Sequence, residues 1–248
     1  MGNLTLKKKY KYFVVSDIHG FYDEFISSLN EKGFDSKNPE HYLISLGDAF
    51  DRGPKNLEVL KFLNNLERKI LIRGNHEDLY QQLIDRKGSP LPNDITNGTI
   101  DTFLQIQNLT SDDLSDIIDE KKEFPKLNPE WLKYISNCIN YYETKHYIFI
   151  HGWIPINKDE TYNTNWRKAS KDDWDKARWI SGIDMSKKKV FCPEKTIVCG
   201  HYHCSAWHMT FEGKEEFEDF SPYISDKVIA IDGCTSKSKL VNVIVLED

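Results

Sequence analysis

Residues that can bind metal ions or move protons are concentrated in five short segments of the chain. Each segment follows an apolar, strand-like run, and the five read Asp17-Ile18-His19-Gly20, Gly47-Asp48-Ala49-Phe50-Asp51-Arg52-Gly53, Arg73-Gly74-Asn75-His76-Glu77, His151-Gly152 and Gly200-His201-Tyr202-His203. Carboxylates, imidazoles and amide oxygens are ligands of divalent metal sites that lack thiolates. Because these donors are too many for one ion, the sequence predicts a two-metal site, the kind that typically cleaves phosphate esters.

The metal ligands can be assigned from residue type and position. Asp17 and His19 lie at i and i+2 after a strand, so in extended backbone both side chains point the same way, toward a first ion. Asp48 is expected to bridge both ions, because a carboxylate has two oxygens and enough charge to hold two cations together. The remaining predicted ligands are Asn75, His151 and His201 for the second ion and, as an open alternative, His203 for the first.

Three further residues are candidates for the chemical step. Arg52 is a natural phosphate clamp, since a guanidinium pairs with two phosphate oxygens at once. His76, directly after Asn75, is placed to protonate the leaving-group oxygen as the general acid. Either Asp51 or Glu77 could orient that imidazole and raise its pKa, and the spacing alone does not choose between them.

The elements that position these residues alternate between strands and helices. The predicted helices are Tyr22–Lys32 and Asn56–Arg68, and the predicted strands are Tyr12–Ser16, Tyr42–Leu46, Lys69–Ile72, Tyr147–Ile150, Thr196–Cys199, Val228–Ile231 and Leu240–Leu246. The resulting β-α-β-α-β order implies right-handed crossovers and a largely parallel sheet. The first three ligand segments are each about one βαβ unit apart, so they are expected to meet at the carboxyl edge of that sheet.

We interpret residues 1–248 as one domain with two mainly helical insertions, at about 79–145 and 154–195. Both insertions leave and rejoin the sheet near predicted ligands, so they could form a cap over the metal ions. The second insertion is rich in tryptophan, with Trp166, Trp174 and Trp179 following Trp153 at its start. Such a cluster is most often core packing, and the functional alternative is an aromatic wall that stacks a nucleobase or a peptide ring.

Composition sets the class of protein and its partners. The formal net charge is −6, so no global cationic field attracts nucleic acid or an anionic membrane. Five irregularly placed cysteines suggest no disulfide framework and favour a reducing cytoplasm. The Lys7-Lys8-Lys9 run leads into a strand-like segment and does not resemble a secretory signal peptide. No apolar run approaches the ~20 residues that span a bilayer, and the sequence does not determine the oligomeric state.

In their order and spacing, the five motifs resemble the phosphoprotein phosphatase family of calcineurin-like metallophosphoesterases, with a compact length and a Gly200-His201-Tyr202-His203 ending like those of bacterial and phage serine/threonine phosphatases. The resemblance implies an α/β fold (α+β in some schemes), a four-layer α/β/β/α sandwich with helical cap insertions. It implies two divalent metal ions, manganese first, with iron or zinc as alternatives. It also implies the same residue roles, with Asn75 at the phosphate as well as the metal, and a second phosphate-binding arginine, for which Arg178 is the candidate and Arg167 the reserve. The second histidine, His203, departs from the eukaryotic pattern.

These observations predict a metal-dependent phosphatase that hydrolyses phosphomonoesters, first of all phosphoserine and phosphothreonine in proteins. Hydrolysis of dinucleoside polyphosphates such as diadenosine tetraphosphate is the alternative, together with removal of phosphate from nucleic-acid ends. A phosphate-binding module without catalysis is a remote third, because every predicted catalytic group is present. Substrate choice depends on the shape of loops and cap, which motifs do not specify.

Overall fold

The computed structural model describes residues 10–215 and 217–248, so the Lys7–Lys9 run lies outside the described residues. A first sheet has the strand order β10-β1-β2-β3-β4, in which β10 is antiparallel to β1 and the other neighbours are parallel. Its strands are β1 (Lys11–Val15), β2 (His41–Ser45), β3 (Lys69–Ile72), β4 (Cys138–Ile139) and β10 (Val243–Glu247). The β1–α–β2–α–β3 order predicted from the sequence is confirmed.

A second sheet has the order β5-β6-β7-β9-β8, with a parallel centre and an antiparallel strand at each edge. Its strands are β5 (Tyr142–Glu143), β6 (Tyr147–Phe149), β7 (Thr196–Cys199), β8 (Tyr223–Ile224) and β9 (Val228–Ala230). The short edge strands β4, β5 and β8 were not predicted, because two residues are too few to show an apolar alternation.

Helices cover the outer faces of both sheets. On the first sheet the described helices are α1 (Tyr22–Glu31), α2 (Asn56–Asn65), α3 (Asn75–Asp85), α4 (Pro92–Asn97), α5 (Thr99–Gln107), α6 (Ser111–Ile118) and α7 (Pro129–Asn137). The later part of the chain adds a short 3-10 helix (Trp166–Lys168), α8 (Lys171–Ala177), α9 (Gly182–Lys187), α10 (Cys204–Glu212) and α11 (Thr235–Ser238). None of the helices in the described residues is long and apolar enough to cross a membrane.

Three apolar clusters separate four layers of secondary structure. Side chains alternate along β1, so Tyr12 and Val14 face the second sheet while Phe13 and Val15 face α-helices. The middle cluster joins the two sheets, the first outer cluster packs helices on sheet one, and the second packs the tryptophan-rich segment on sheet two. This arrangement is the predicted α/β/β/α sandwich. The single-domain interpretation stays a prediction, and the 79–145 insertion carries β4 and β5 besides its helices.

Candidate metal centre

The predicted ligands come from loops at the carboxyl ends of five strands. Asp17 and His19 follow β1, Asp48 follows β2, and Asn75 opens α3 directly after β3; from the second sheet, His151 follows β6 and His201 follows β7. The two parallel stretches thus deliver their polar loops to one edge of the sandwich, as expected for open α/β sheets.

Asp48 lies where the two halves of the centre meet. Donor atoms of Asp48, His151 and His201 lie within 4.8 Å of one another, and so do those of Asp48, His19 and His76. Oδ1 of Asp48 is 3.3 Å from Nε2 of His151. A carboxylate shared by two groups of donors is the arrangement expected of a residue that bridges two cations.

The imidazoles at this edge are oriented by the backbone. Nδ1 of His19 is 2.8 Å from the carbonyl oxygen of Phe50, and Nδ1 of His151 is 2.9 Å from that of Leu46. A carbonyl only accepts, so each ring carries a proton on Nδ1 and turns its Nε2 toward the centre. Nε2 of His151 lies 2.7 Å from Oδ1 of Asn75, which places both predicted ligands of the second ion side by side. Outer hydrogen bonds of this kind are typical of metal-binding histidines.

Asp17 closes the other side of the centre. Its Oδ1 is 4.0 Å from Nε2 of His19, while its Oδ2 accepts hydrogen bonds from the hydroxyl of Ser16 and from the backbone N–H of His201, the latter at 3.1 Å. The bond to His201 ties the loop after β1 to the loop after β7. A Cβ at Gly200 would collide with Ser16 and Asp17, so only glycine permits these loops to approach so closely.

His203 is placed differently from the other predicted ligands. Its side chain is 40% exposed, and its Nδ1 donates to Oδ2 of the buried Asp232 over 3.0 Å. It is in neither of the two donor groups around Asp48, so its role as a ligand of the first ion stays a prediction. Asp232 was assigned no role from the sequence, although it follows the apolar run of β9 just as Asp17 follows that of β1.

His76 is buried beside the predicted metal ligands and contacts the buried Asp51. Its Nδ1 is 2.7 Å from Oδ2 of Asp51, whose two oxygens also accept from the hydroxyls of Thr99 (2.8 Å) and Thr102 (2.7 Å). Nε2 of His76 is 3.2 Å from Nη2 of Arg52, and Nη1 of the same arginine is 2.9 Å from Nε2 of His19. The exposed guanidinium of Arg52 therefore lies at the mouth of the centre, beside both imidazoles.

Glu77, the alternative partner of His76, is used elsewhere. Its Oε2 accepts from the backbone N–H groups of Asp48 (3.0 Å) and Gly74 (2.7 Å), and its Oε1 from that of Ala49 (3.0 Å). Glu77 thus clasps the loops after β2 and β3 together and positions Asp48. The structure brings Asp51, and not Glu77, to the imidazole.

The two arginines suggested as a second phosphate ligand are held in ion pairs. Nε of the buried Arg178 is 2.6 Å from Oδ2 of Asp78, and its Nη2 contacts Asp175. Arg167 pairs with both oxygens of Glu143 at 2.8 and 2.9 Å. Phosphate binding by Arg178 stays a prediction, and it would require Asp78 or Asp175 to release a guanidinium that they already neutralise.

The tryptophan-rich segment divides into core and surface. Trp153, Trp166 and Trp174 are buried on the second sheet, which confirms the packing interpretation for these three. Trp179 is 46% exposed, and its ring centroid lies 6.1 Å from that of His201. Tyr202, 38% exposed, flanks the same imidazole at 4.8 Å. An open aromatic pair therefore borders the centre on the His201 side.

One imidazole on each side of the centre has a lowered pKa. Burial lowers the pKa of His19 to about 3, with His76 and Arg52 acting in the same direction. Burial also lowers the pKa of His201, to about 4, and His151 adds to this effect. Both imidazoles are therefore neutral near pH 7, the form that binds a metal ion.

Nearby carboxylates raise the pKa values of the other two buried imidazoles, those of His151 and His76. Burial by itself would lower the pKa of His151, but Asp48 and Asp17 outweigh it and raise the pKa to about 9. Burial likewise opposes ionisation of His76, yet Asp48 and Asp51 raise its pKa above the usual value. Burial and the nearby Asp232 raise the pKa of Asp17. A buried cluster of carboxylates and imidazoles is a donor set that divalent cations fit, because the cations replace bound protons as the compensating charge.

Backbone strain accompanies the cluster. Positive φ angles occur at non-glycine residues that carry the predicted chemistry: Asp17 (51°), His19 (51°), Asp48 (53°), Asp51 (74°), Arg52 (67°) and His201 (68°). Left-handed backbone is uncommon for such residues and persists only where surrounding contacts enforce it. Here the clasp of Glu77 and the close packing of the loops supply those contacts.

Known proteins are similar to this chain in sequence. The family model described as calcineurin-like phosphoesterase matches residues 10–205. A bis(5'-nucleosyl)-tetraphosphatase PrpE [asymmetrical] of Bacillus subtilis (strain 168) is 34% identical over 126 residues, which are 47% of this chain and 48% of that protein. The chain therefore matches about half the length of this curated relative.

Two solved structures share the fold. The cold-active protein-tyrosine phosphatase of a psychrophilic Shewanella has a TM-score of 0.55 at 18% identity, covering 96% of this chain and 76% of that one. A putative diadenosine tetraphosphatase has a TM-score of 0.51 at 14% identity, covering 99% and 96%. At these identities the similarity extends to the fold alone. Because the family model matches residues 10–205, which are most of this chain, the chain belongs to the calcineurin-like phosphoesterase family.

Proposed function

We propose that this protein is a phosphoesterase that uses two divalent cations and hydrolyses dinucleoside polyphosphates such as diadenosine tetraphosphate. The observation that carries the catalytic part is the pair of donor groups that share Asp48, next to the His76–Asp51 pair and under the guanidinium of Arg52. The substrate follows from the sequence relative, whose name specifies bis(5'-nucleosyl) tetraphosphate. The phosphoserine and phosphothreonine substrates expected first from the sequence have no comparable support.

The residues present would hold the cations as the sequence suggests. Asp17 and His19 would hold one cation, and Asn75, His151 and His201 the other. Asp48 would be shared between them, and His203 would be a further ligand of the first. Bound cations would neutralise phosphoryl oxygens and lower the pKa of an attacking water. Manganese, with iron or zinc as alternatives, suits a mixed set of oxygen and nitrogen donors.

The chain's own residues would bind and protonate the substrate. The exposed Arg52 would turn from the imidazoles and pair with two phosphoryl oxygens, next to Asn75. His76 would donate the proton on Nε2 to the departing oxygen. Asp51 would keep the ring in position and favour its protonated form, because its carboxylate accepts the hydrogen bond from Nδ1.

Trp179 supports a substrate that carries a base. This exposed ring lies beside His201, and adenine would stack on its face. Of the four tryptophans considered from the sequence as an aromatic wall, only Trp179 is exposed to a substrate, and Tyr202 is the second exposed ring beside His201.

The test is a metal-by-substrate matrix on the purified protein. Diadenosine tetraphosphate, a phosphoserine peptide and p-nitrophenyl phosphate are each offered with Mn²⁺, Fe²⁺, Zn²⁺ or a chelator, and products are separated by chromatography. We expect hydrolysis of the dinucleotide with a higher kcat/KM than of the peptide, abolished by chelation. The ratio of ATP plus AMP to ADP identifies the bond that is cleaved. A higher kcat/KM for the peptide would overturn the substrate assignment, and full activity in chelator would overturn the metal centre.

A further inference from the structure

A surface cleft adjoins the metal centre at Arg52. It has a volume of about 590 Å³. Its lining includes Phe21, Arg52, Asp101, Leu104, Gln105 and Lys239. Phe21 follows the metal loop, which is the segment 17–20 after β1 that carries Asp17 and His19. Asp101, Leu104 and Gln105 belong to α5. The cleft thus lies between the strand loops of the first sheet and the helical insertion.

The charged residues of this cleft are mostly cationic. Arg52 and Lys239 both line it, and among the described residues neither forms an ion pair with a carboxylate. The ammonium of Lys239 lies 4.2 Å from the centre of the Phe21 ring, a cation–π contact that holds the side chain over the cleft. Asp101 is the one acidic group in the part of the lining that the structure describes. Two cations without acidic partners on one concave surface favour an anionic ligand.

The segment that carries Lys239 is attached to the metal loop. The hydroxyl of Thr235 donates to the carbonyl oxygen of Asp17 over 2.8 Å, and the backbone N–H of Lys239 donates to the carbonyl of Thr235 over 2.9 Å. The position of Lys239 relative to the centre is therefore fixed by two hydrogen bonds. Arg52 connects the cleft to the metal centre, because its guanidinium contacts His19 and His76 while the residue also lines the cleft.

We propose that this cleft is a subsite for the distal phosphates of the substrate, the part of the polyphosphate chain beyond the phosphoryl group held at the metal centre. Arg52 would contact the first two phosphates and Lys239 the next, while Asp101 would limit the affinity. The assignment builds on the proposed function, since a dinucleoside polyphosphate is long enough to occupy both places. A phosphomonoester would fill the centre alone, and the subsite would then distinguish polyphosphates from simple esters.

The experiment measures binding of a probe that needs no turnover. Calorimetry on the Mn²⁺-loaded protein, with free Mn²⁺ held constant in excess, compares inorganic tripolyphosphate with orthophosphate. Substitution of Lys239 by glutamine (Lys239→Gln) is expected to raise the Kd of tripolyphosphate by about three- to tenfold, as for the loss of one charged contact, with a much smaller change for orthophosphate. Asp101→Asn should act in the opposite direction and lower the Kd of tripolyphosphate.

Matched controls make every result decisive. Lys227→Gln removes an exposed lysine just before β9. This residue lies at the amino end of that strand, whereas the centre lies at the carboxyl ends of the strands, so both Kd values should stay unchanged. Because the two cleft variants are expected to shift the Kd in opposite directions, a folding defect cannot reproduce the pattern. Equal tripolyphosphate binding in wild type, Lys239→Gln and Asp101→Asn would overturn the subsite. Failure of the wild type to hydrolyse diadenosine tetraphosphate, with the binding pattern intact, would instead overturn only the proposed substrate.

Discussion

Nδ1 of His76 donates a hydrogen bond to Oδ2 of Asp51 over 2.7 Å, and both side chains are buried. An ionised carboxylate only accepts, so this contact fixes the proton on Nδ1 and directs Nε2 toward the mouth of the site. Nε2 lies 3.2 Å from Arg52 and 3.8 Å from Oδ2 of Asp48. In the proposed mechanism, a second proton on Nε2, favoured by both carboxylates, would be the one donated to the leaving group.

Replacing His76, the proposed general acid, should matter most for basic leaving groups. We expect His76→Gln to reduce kcat for phenyl phosphate by about 10²–10⁴-fold, the usual contribution of a positioned acid. The reduction should be clearly smaller for p-nitrophenyl phosphate, because its phenolate departs without protonation. Steady-state kinetics on the two esters check this, with metal content confirmed for each preparation. An equal loss on both esters would contradict a role in protonation.

The carboxylate behind the imidazole should set the basic limb of the pH profile. Asp51 helps to raise the pKa of His76, and a general acid acts only while it is protonated. Asp51→Asn removes that effect, so the pKa of His76 falls and the basic limb of kcat/KM should move to lower pH. The matched control is Glu130→Gln, a substitution on α7. A limb that stays in place, or moves to higher pH, would exclude this role for Asp51.

Loss of the shared carboxylate should be visible in metal content. Asp48 belongs to both donor groups, so Asp48→Asn is expected to lower the bound metal from about two ions per chain to one or fewer, since a neutral amide bridges two cations poorly. Activity should fall with it. Elemental analysis after dialysis measures the ratio, and Asp94→Asn, a buried carboxylate paired with Arg86, serves as the control. If Asp48→Asn retained two ions per chain, Asp48 would not be required to bridge the two cations.

Metal binding should release protons at neutral pH. Without metal, the pKa of His151 is about 9, so its imidazole is charged at pH 7 and must lose a proton before Nε2 can bind a cation. Affinity for Mn²⁺ should consequently rise by up to about tenfold per pH unit until pH approaches that pKa. His19 and His201, already neutral, add nothing to this slope. Calorimetry in buffers of different ionisation enthalpy counts the protons, and a count of zero would contradict the prediction.

The exposed aromatic ring near His201 should matter for substrates that carry a base. Trp179→Ala is expected to raise KM for diadenosine tetraphosphate by about five- to 100-fold, in line with one lost base–aromatic stack. Trp179→Phe keeps an aromatic face and should restore most of the affinity. Steady-state kinetics of the three proteins provide the comparison. The same increase in both variants would show that the indole supports the loop rather than the substrate.

The sequence by itself determined the succession of the longer strands along the chain, the position of the polar loops after them, and the residue types of the candidate centre. These features are local: an apolar run followed by glycine and a ligand-type residue is visible without knowledge of the fold. Asp17, Asp48 and Asn75 could be expected at one edge because βαβ units of similar length return each strand to the same direction.

Only the tertiary structure decided which groups touch. It assigned the contact with His76 to Asp51, 25 residues away in sequence, and gave Glu77, the next residue along the chain, the separate task of joining the loops. It enclosed Arg178 between two carboxylates, exposed Trp179 while burying three other tryptophans, and brought Asp232 to His203. Lys239 reached the cleft beside Arg52 across most of the chain's length. Such contacts depend on how distant loops pack and turn their side chains, and spacing along the chain carries no record of that direction.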